Sequence, residues 1–503
     1  MAVSWIIGIV CVVIPVHCRM NVLFLVSDDM RPELGAYYGT DFPSPVHPQM
    51  HTPTLDALSK KSLLLKRAYV QQAVCSPSRT SLLTGRRPDT THVYDLIHYF
   101  RKVGGNFTTI PEYFKINGYR TIGMGKIFHP GRASGWDDPI SWTDPYFHGK
   151  QPREYNTGNS WMSVPESEWS KKPILDTQNT NHGIAVLREV APKARSGEQP
   201  FFVAVGIHKP HLPFVFPDTF LKYYPQDAIR LPPNPYAPND MPAVAWYKYG
   251  GLRSYKDINA LHASGDINTT LPNDVVLYLR RAYYSALSYT DYELGRVIAE
   301  LESLGLANNT IISFWGDHGW QLGEHGEWCK QTNFELATHA PMMIHVPGLT
   351  DHGIVTEQLT EFVDLFPTLV EAAGLPPLPL CPADSADIRL CREGMSLVPL
   401  MKDPTATWKT AAFSQYPREE NFIKIMGYTM RTNRYRYTEW PRFSGKPDYK
   451  PDWTTLFGAE LYDHVTDPEE NVNLANDPAY RDLRNELSEQ LRAGWRSVMP
   501  GVN

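Results

Sequence analysis

The chain has 503 residues, long enough to bury a large core and not a small module stapled by disulfides. Its 42% hydrophobic and 20% charged residues fit a folded globular protein and exclude a disordered or fibrous one. A net charge of −6 without any basic run argues against nucleic acid as a partner.

Residues 6–16 form an apolar run, too short for a bilayer, which needs ~20 residues. It reads as the core of a secretory signal peptide cleaved near Cys18. No later stretch is apolar enough to act as a membrane anchor. The run NVLFLVS, Asn21–Ser27, predicts a buried parallel strand and ends in Asp28-Asp29. Residues 54–61 predict a helix with Leu55 and Leu58 on one face.

The segment 73–85, AVCSPSRTSLLTG, predicts a loop entering a helix. Pro77 suits a first turn, and Ser76 just before it predicts the N-cap. Cys75 then stands in the positive field of a helix N-terminus, with Arg79 one turn on and on the same side. A further helix is predicted over 110–117, closed by Gly118, and a strand over 119–123 leading to Lys126 and His129. Residues 201–206, FFVAVG, predict another buried strand, followed by His208-Lys209-Pro210-His211. The Pro-rich stretch 212–242 predicts an irregular excursion, and 274–304 the longest helix. TIISFW at 310–315 predicts a strand ending in Gly316-Asp317-His318, and 365–373 a shorter helix. Beyond Pro404 strands are predicted over 411–416, 423–431 and 435–440, then a helix over 480–498. The predicted division is a leader at 1–18, a catalytic domain at 19–403 and a C-terminal α+β subdomain at 404–503.

Ligand sites in open α/β sheets lie beyond the carboxyl ends of strands, so Asp28, Asp29, Asp317 and position 75 can meet in one crevice. Two unit charges ~4 Å apart repel by about 4 kcal/mol at an effective dielectric of 20, which calls for a cation. Carboxylate oxygens select a hard ion, Ca²⁺ or Mg²⁺. The plain alternative for Asp28-Asp29 is capping of the next helix. Gly123, Gly125 and Gly131 beside Lys126 and His129 predict room for close anion approach. Of six cysteines, Cys11 and Cys18 fall in or beside the leader, and Cys381 and Cys391 bracket a short loop and can pair. Cys329 is then an unpaired thiol, as is Cys75. Asn106, Asn268 and Asn308 head N-glycosylation sequons, which with the leader predict a secretory protein.

C-x-P-S-R followed by T-G-R resembles the signature of the sulfatase family, in the alkaline-phosphatase-like superfamily. The resemblance implies a large mixed, mostly parallel sheet sandwiched by helices, with a smaller C-terminal antiparallel sheet packed by a helix. It implies that a formylglycine-generating enzyme converts Cys75 to Cα-formylglycine, whose hydrate attacks sulfur. It implies one Ca²⁺ held by Asp28, Asp29, the modified Cys75, Asp317 and His318, with Arg79 beside them. GKIFH at 125–129 resembles the second signature, in which Lys126 and His129 hold sulfate and the formylglycine hydroxyls. His208 matches the proton donor to the leaving oxygen, and Lys330 the lysine on sulfate. Longer blocks, such as DHGWQLGEHGEWCKQTNFELATHAP, resemble the branch that removes the 2-O-sulfate of terminal iduronate from heparan and dermatan sulfate. In that branch Trp320, His208 and Lys330 line the pocket mouth, the partners are sulfated glycosaminoglycan oligosaccharides, and the destination is lysosomal or secreted. Two alternatives stay open: another sugar-sulfate specificity, or a silent glycan-binding relative, against which the intact site residues argue.

Overall fold

A computed structural model of the protein describes residues 19–38, 46–418 and 424–501. The predicted leader, with Cys11 and Cys18, lies outside these residues.

The apolar runs become a seven-stranded sheet. In chain order its strands are β1 (Asn21–Ser27), β2 (Leu63–Leu65), β3 (Arg120–Gly125), β4 (Phe201–Ile207), β5 (Thr310–Gly316), β6 (Met342–His345) and β7 (Ile354–Thr356). They lie side by side as β7-β2-β6-β5-β1-β4-β3, and only β6 runs antiparallel to its neighbours. Both faces are covered, which is why the runs are apolar without alternation. Leu23 and Leu25 of β1 enter a core shared with α2 (Leu175–Arg195) and α3 (Asn273–Ser303). Val22, Phe24 and Val26 enter a second core with α1 (Cys75–Thr84) and the helices Ile110–Ile116 and Leu365–Ala372.

A separate antiparallel sheet follows, ordered β8 (Ala411–Arg418), β9 (Ile425–Thr432), β10 (Tyr435–Ser444) and β11 (Lys450–Asp463). Helix α4 (Arg481–Ala493) packs Leu487 and Leu491 against Met430, Tyr437 and Leu461. Cys381 and Cys391 form the expected disulfide, while Cys75 and Cys329 are free and buried.

Three readings of the sequence need correction. Helix α1 begins at Cys75 itself, with Val74 as a cap that makes no side-chain bond, so Ser76 lies inside the first turn. The excursion 212–242 contains a short strand, Phe214–Pro217, paired with Trp161–Val164. Gly123 and Gly125 serve packing, not anion approach. A Cβ on Gly125, at φ +71°, would stand 1.9 Å from the Gly206 carbonyl oxygen. One on Gly123 would strike Tyr146 and Trp142, and Gly131 has nothing near it. The close approach of Gly125 and Gly206 brings Lys126 N–H to the Gly206 carbonyl at 3.1 Å.

Below the sheet edge, the segment that carries Trp320 and Lys330 is anchored by buried charge. Arg31 binds Glu33 at 2.5 Å and Glu324 at 3.1 Å, and Arg280 binds Glu324 at 2.8 Å. Burial alone would raise the Glu324 carboxyl, but Arg31 and Arg280 override it and hold it well below the usual range. Glu324→Gln is expected to destabilise the protein by about 3–5 kcal/mol at pH 7, by leaving buried arginines short of a partner. Because the folded carboxyl is depressed, its contribution is complete above the ordinary pKa near ~4.3 and fades as pH falls below it. Urea unfolding at neutral and acid pH checks both: the gap between wild type and variant narrows in acid.

Candidate active site

Strand register sets the site. Ser27 pairs with Ile207 on one side and Gly316 on the other, so the residues after β1, β4 and β5 emerge together. Asp28 N–H donates to the Ile207 carbonyl and Asp317 N–H to that of Ser27, each at 3.1 Å. Asp28, Asp29, Lys126, His208, Asp317 and His318 thus share one sheet edge, as expected from the sequence.

Cys75 enters at the N-terminal end of α1. Its Sγ lies 3.2 Å from Lys330 Nζ, 3.6 Å from both Lys126 Nζ and His318 Nε2, and 3.9 Å from Asp29 Oδ1. Arg79 has no exposed surface. Its Nε donates to Asp317 Oδ2 at 2.9 Å and its Nη2 to Asp28 Oδ1 at 2.8 Å. Nη1 donates to the carbonyls of Lys126 and Ile127. Lys126 pairs with Asp28, and Lys330 with Asp29. Three carboxylates therefore face Arg79, Lys126 and Lys330, and their repulsion is met within the chain itself. The argument for a cation rests instead on the donors.

Those donors fit a hard divalent ion. One ligand atom each from Asp29, Cys75, Asp317 and His318 lie within 4.8 Å of one another, and Asp28 joins Asp29, Cys75 and His211 in a second such group. Asp29 is fully buried, yet its Oδ2 has no hydrogen-bond partner. His318 Nδ1 donates to the Gly319 carbonyl at 2.8 Å, which leaves the Nε2 lone pair aimed at Asp29 Oδ1, 3.2 Å away. Burial and then Lys330 push His318 far below its usual pKa, so the imidazole is neutral, the state a ligand needs. Asp29 and Asp317 are both raised by burial, a penalty that a bound cation relieves.

Burial, with the field of Asp28 behind it, raises the Cys75 thiol to about 12. An unmodified Cys75 is a protonated thiol, not a nucleophile. Burial and Lys126 lower His129 to about 3; it is neutral, its Nδ1 donating to the Pro130 carbonyl at 3.1 Å. His208 is half-buried in a cleft of about 280 Å³ that Asp28, Lys126 and His211 also line.

Trp320 departs from the expected place. It is 2% exposed and lies under Lys330, whose Nζ sits 5.2 Å from its ring, so it supports the pocket and does not form the mouth. Two groups were not assigned from the sequence. His211, given no role from the sequence, brings Nε2 to 3.8 Å from Asp29 Oδ2. Asp176, at the start of α2, accepts from His208 N–H at 2.8 Å, from His208 Nδ1 at 3.0 Å and from Lys209 N–H at 3.0 Å. This orients the ring, with Nδ1 on Asp176 and Nε2 toward the cleft. No motif flagged Asp176, because the helix carrying it has a polar buried face.

The family model described as Sulfatase matches residues 20–375. The chain belongs to the sulfatase family. A second model, N-sulphoglucosamine sulphohydrolase C-terminal, matches residues 323–496 of this sulfatase. The iduronate 2-sulfatase of Mus musculus is 38% identical over 526 residues, covering 93% of each chain. That of Homo sapiens is 39% identical over 523 residues, covering 92% of each. A phosphonate monoester hydrolase of Agrobacterium radiobacter shares the fold, with TM-score 0.69 and 20% identity over 94% of this chain and 96% of that one. The sulfatase described here is a sulfuric ester hydrolase by family and by these relatives.

Asp176→Asn is expected to leave the fold intact and lower kcat on the order of 10²-fold, since the partner that orients the His208 ring in the cleft is lost. Thermal unfolding and steady-state kinetics on one sulfate ester check this, and an unchanged kcat would refute the assignment.

Proposed function

We infer that the protein removes the 2-O-sulfate from terminal iduronate in heparan and dermatan sulfate chains. The observation that carries the reading is the convergence of Cys75, Arg79, Lys126, His208, Asp317, His318 and Lys330 at one sheet edge, in a chain 38–39% identical to two iduronate 2-sulfatases. Cα-formylglycine made from Cys75, with one Ca²⁺ held by Asp28, Asp29, position 75, Asp317 and His318, would supply the hydroxyl nucleophile and a fixed positive charge at the sulfate oxygens. The chain's own residues do the remainder.

Lys126 and Lys330 stand on either side of position 75 and hold the sulfate in line, their charges aimed at the oxygens that gain negative charge. Arg79 fixes the two carboxylates it joins. Neutral His129 would accept a hydrogen bond from a hydroxyl at position 75 and hold it in place. His208, its Nδ1–H held by Asp176, acts as the imidazolium and gives its Nε2 proton to the departing sugar oxygen.

The three sequon asparagines, Asn106, Asn268 and Asn308, are exposed, which suits glycosylation in the secretory pathway on the way to a lysosomal or extracellular destination. Among the described residues no helix is long and apolar enough to cross a membrane.

Cys75→Ala is expected to abolish sulfate release from a 4-methylumbelliferyl iduronide 2-sulfate while keeping the wild-type melting temperature within a few degrees. Peptide mass spectrometry of wild-type material is expected to find formylglycine at position 75. Turnover of aryl sulfates alone would remove the iduronate assignment, and full activity with unmodified Cys75 would remove the mechanism.

A further inference from the structure

A second cavity, of about 240 Å³, lies between residues 87–90 after α1, strands β8 and β9, and the end of α4. It shares no lining residue with the catalytic cleft. Trp453, Trp495, Tyr428 and Phe413 supply ring surface, and both tryptophans are half-buried. The Trp453 and Tyr428 rings are 5.2 Å apart. Arg87 lies 4.9 Å from the Trp495 ring and Arg492 5.3 Å from the Trp453 ring, which fixes both.

The wall also holds an unmet amide. Gln71 is 1% exposed, and neither its Nε2 nor its Oε1 has a hydrogen-bond partner. Arg87 Nε is likewise unpartnered. A buried polar group left unmet is destabilising, so one donor and acceptor pair and one further donor await a ligand.

Charge narrows the ligand class. Arg87 gives Nη1 and Nη2 to Glu361 at 2.7 and 2.8 Å, and Arg492 pairs with Glu439 at 3.0 Å. Asp89 accepts from Gln415 at 2.7 Å, Tyr428 at 2.8 Å and Tyr94 at 3.0 Å. Each lining cation is already matched, so nothing here attracts a sulfate or a carboxylate. Ring faces for C–H surfaces and an amide for paired hydroxyls fit an uncharged pyranose.

We propose that this cavity binds an uncharged sugar residue, such as an N-acetylated hexosamine, independently of the catalytic cleft. The inference does not depend on which sulfate ester the enzyme cleaves. Titration of the full-length protein with N-acetylglucosamine, read by tryptophan fluorescence and ligand-observed NMR, tests it, with glucuronate as the anionic comparison. Binding at least tenfold tighter for N-acetylglucosamine is expected. It is lost in Trp495→Ala and in Gln71→Leu, and kept in Cys75→Ala. No saturable binding, a preference for glucuronate, or full affinity in either cavity variant overturns the proposal.

Discussion

The Arg79 guanidinium is the joint on which the site depends. It has no exposed surface and bonds two carboxylates and two backbone carbonyls. Those acceptors belong to the ends of β1, β5 and β3, so one side chain ties α1 to three strands. A buried charge is tolerable only when its partners are well aligned, and the same alignment aims Asp28 and Asp317. Lys126 and Lys330 complete the balance from two sides of Cys75. A dication and a sulfate monoester would add charge of both signs to this set, letting each lysine turn from a carboxylate toward the ester.

The scaffold supplies this precision by contact between backbones and by buried ion pairs. Gly125 against Gly206 sets where Lys126 emerges. Glu324 between Arg31 and Arg280 braces the segment beneath Lys330. The C-terminal sheet is fastened in the same manner: Lys409 meets Glu361 at 2.8 Å and Asp364 at 2.7 Å, and Glu361 also takes Arg87. Glu335 receives Arg431 and Arg436 from β9 and β10. These pairs fix geometry between layers more than they add net stability.

Much of this was legible because strands buried on both faces read as continuous apolar runs, as β1, β4 and β5 do. Their acidic or histidine ends then identified the sheet edge. Helix α2 was missed because Asp176, Thr177, Asn179 and Thr180 are buried on it, with Gly183 and Pro192 inside, so its periodicity is broken. Strand β11 was missed because its first ten residues are only partly buried, without alternation, and include Pro451, Asp452 and Gly458. The role of Asp176 depends on contact across the cleft that no local pattern encodes. The cysteine motif was specific enough to mark the residue at the centre of the cluster, while the cap at Val74 and the buried place of Trp320 follow from tertiary packing.

Cys75 is 2% exposed and belongs to a helix all of whose residues are buried. Any enzyme that rewrites this side chain needs the surrounding peptide in its own active site, which the closed sandwich forbids. The conversion of Cys75 proposed above would therefore have to precede closure, while the segment is still extended. A chain that folded ahead of it would be sealed with a protonated thiol, so the speed of folding would cap the fraction of molecules that carry the modified residue.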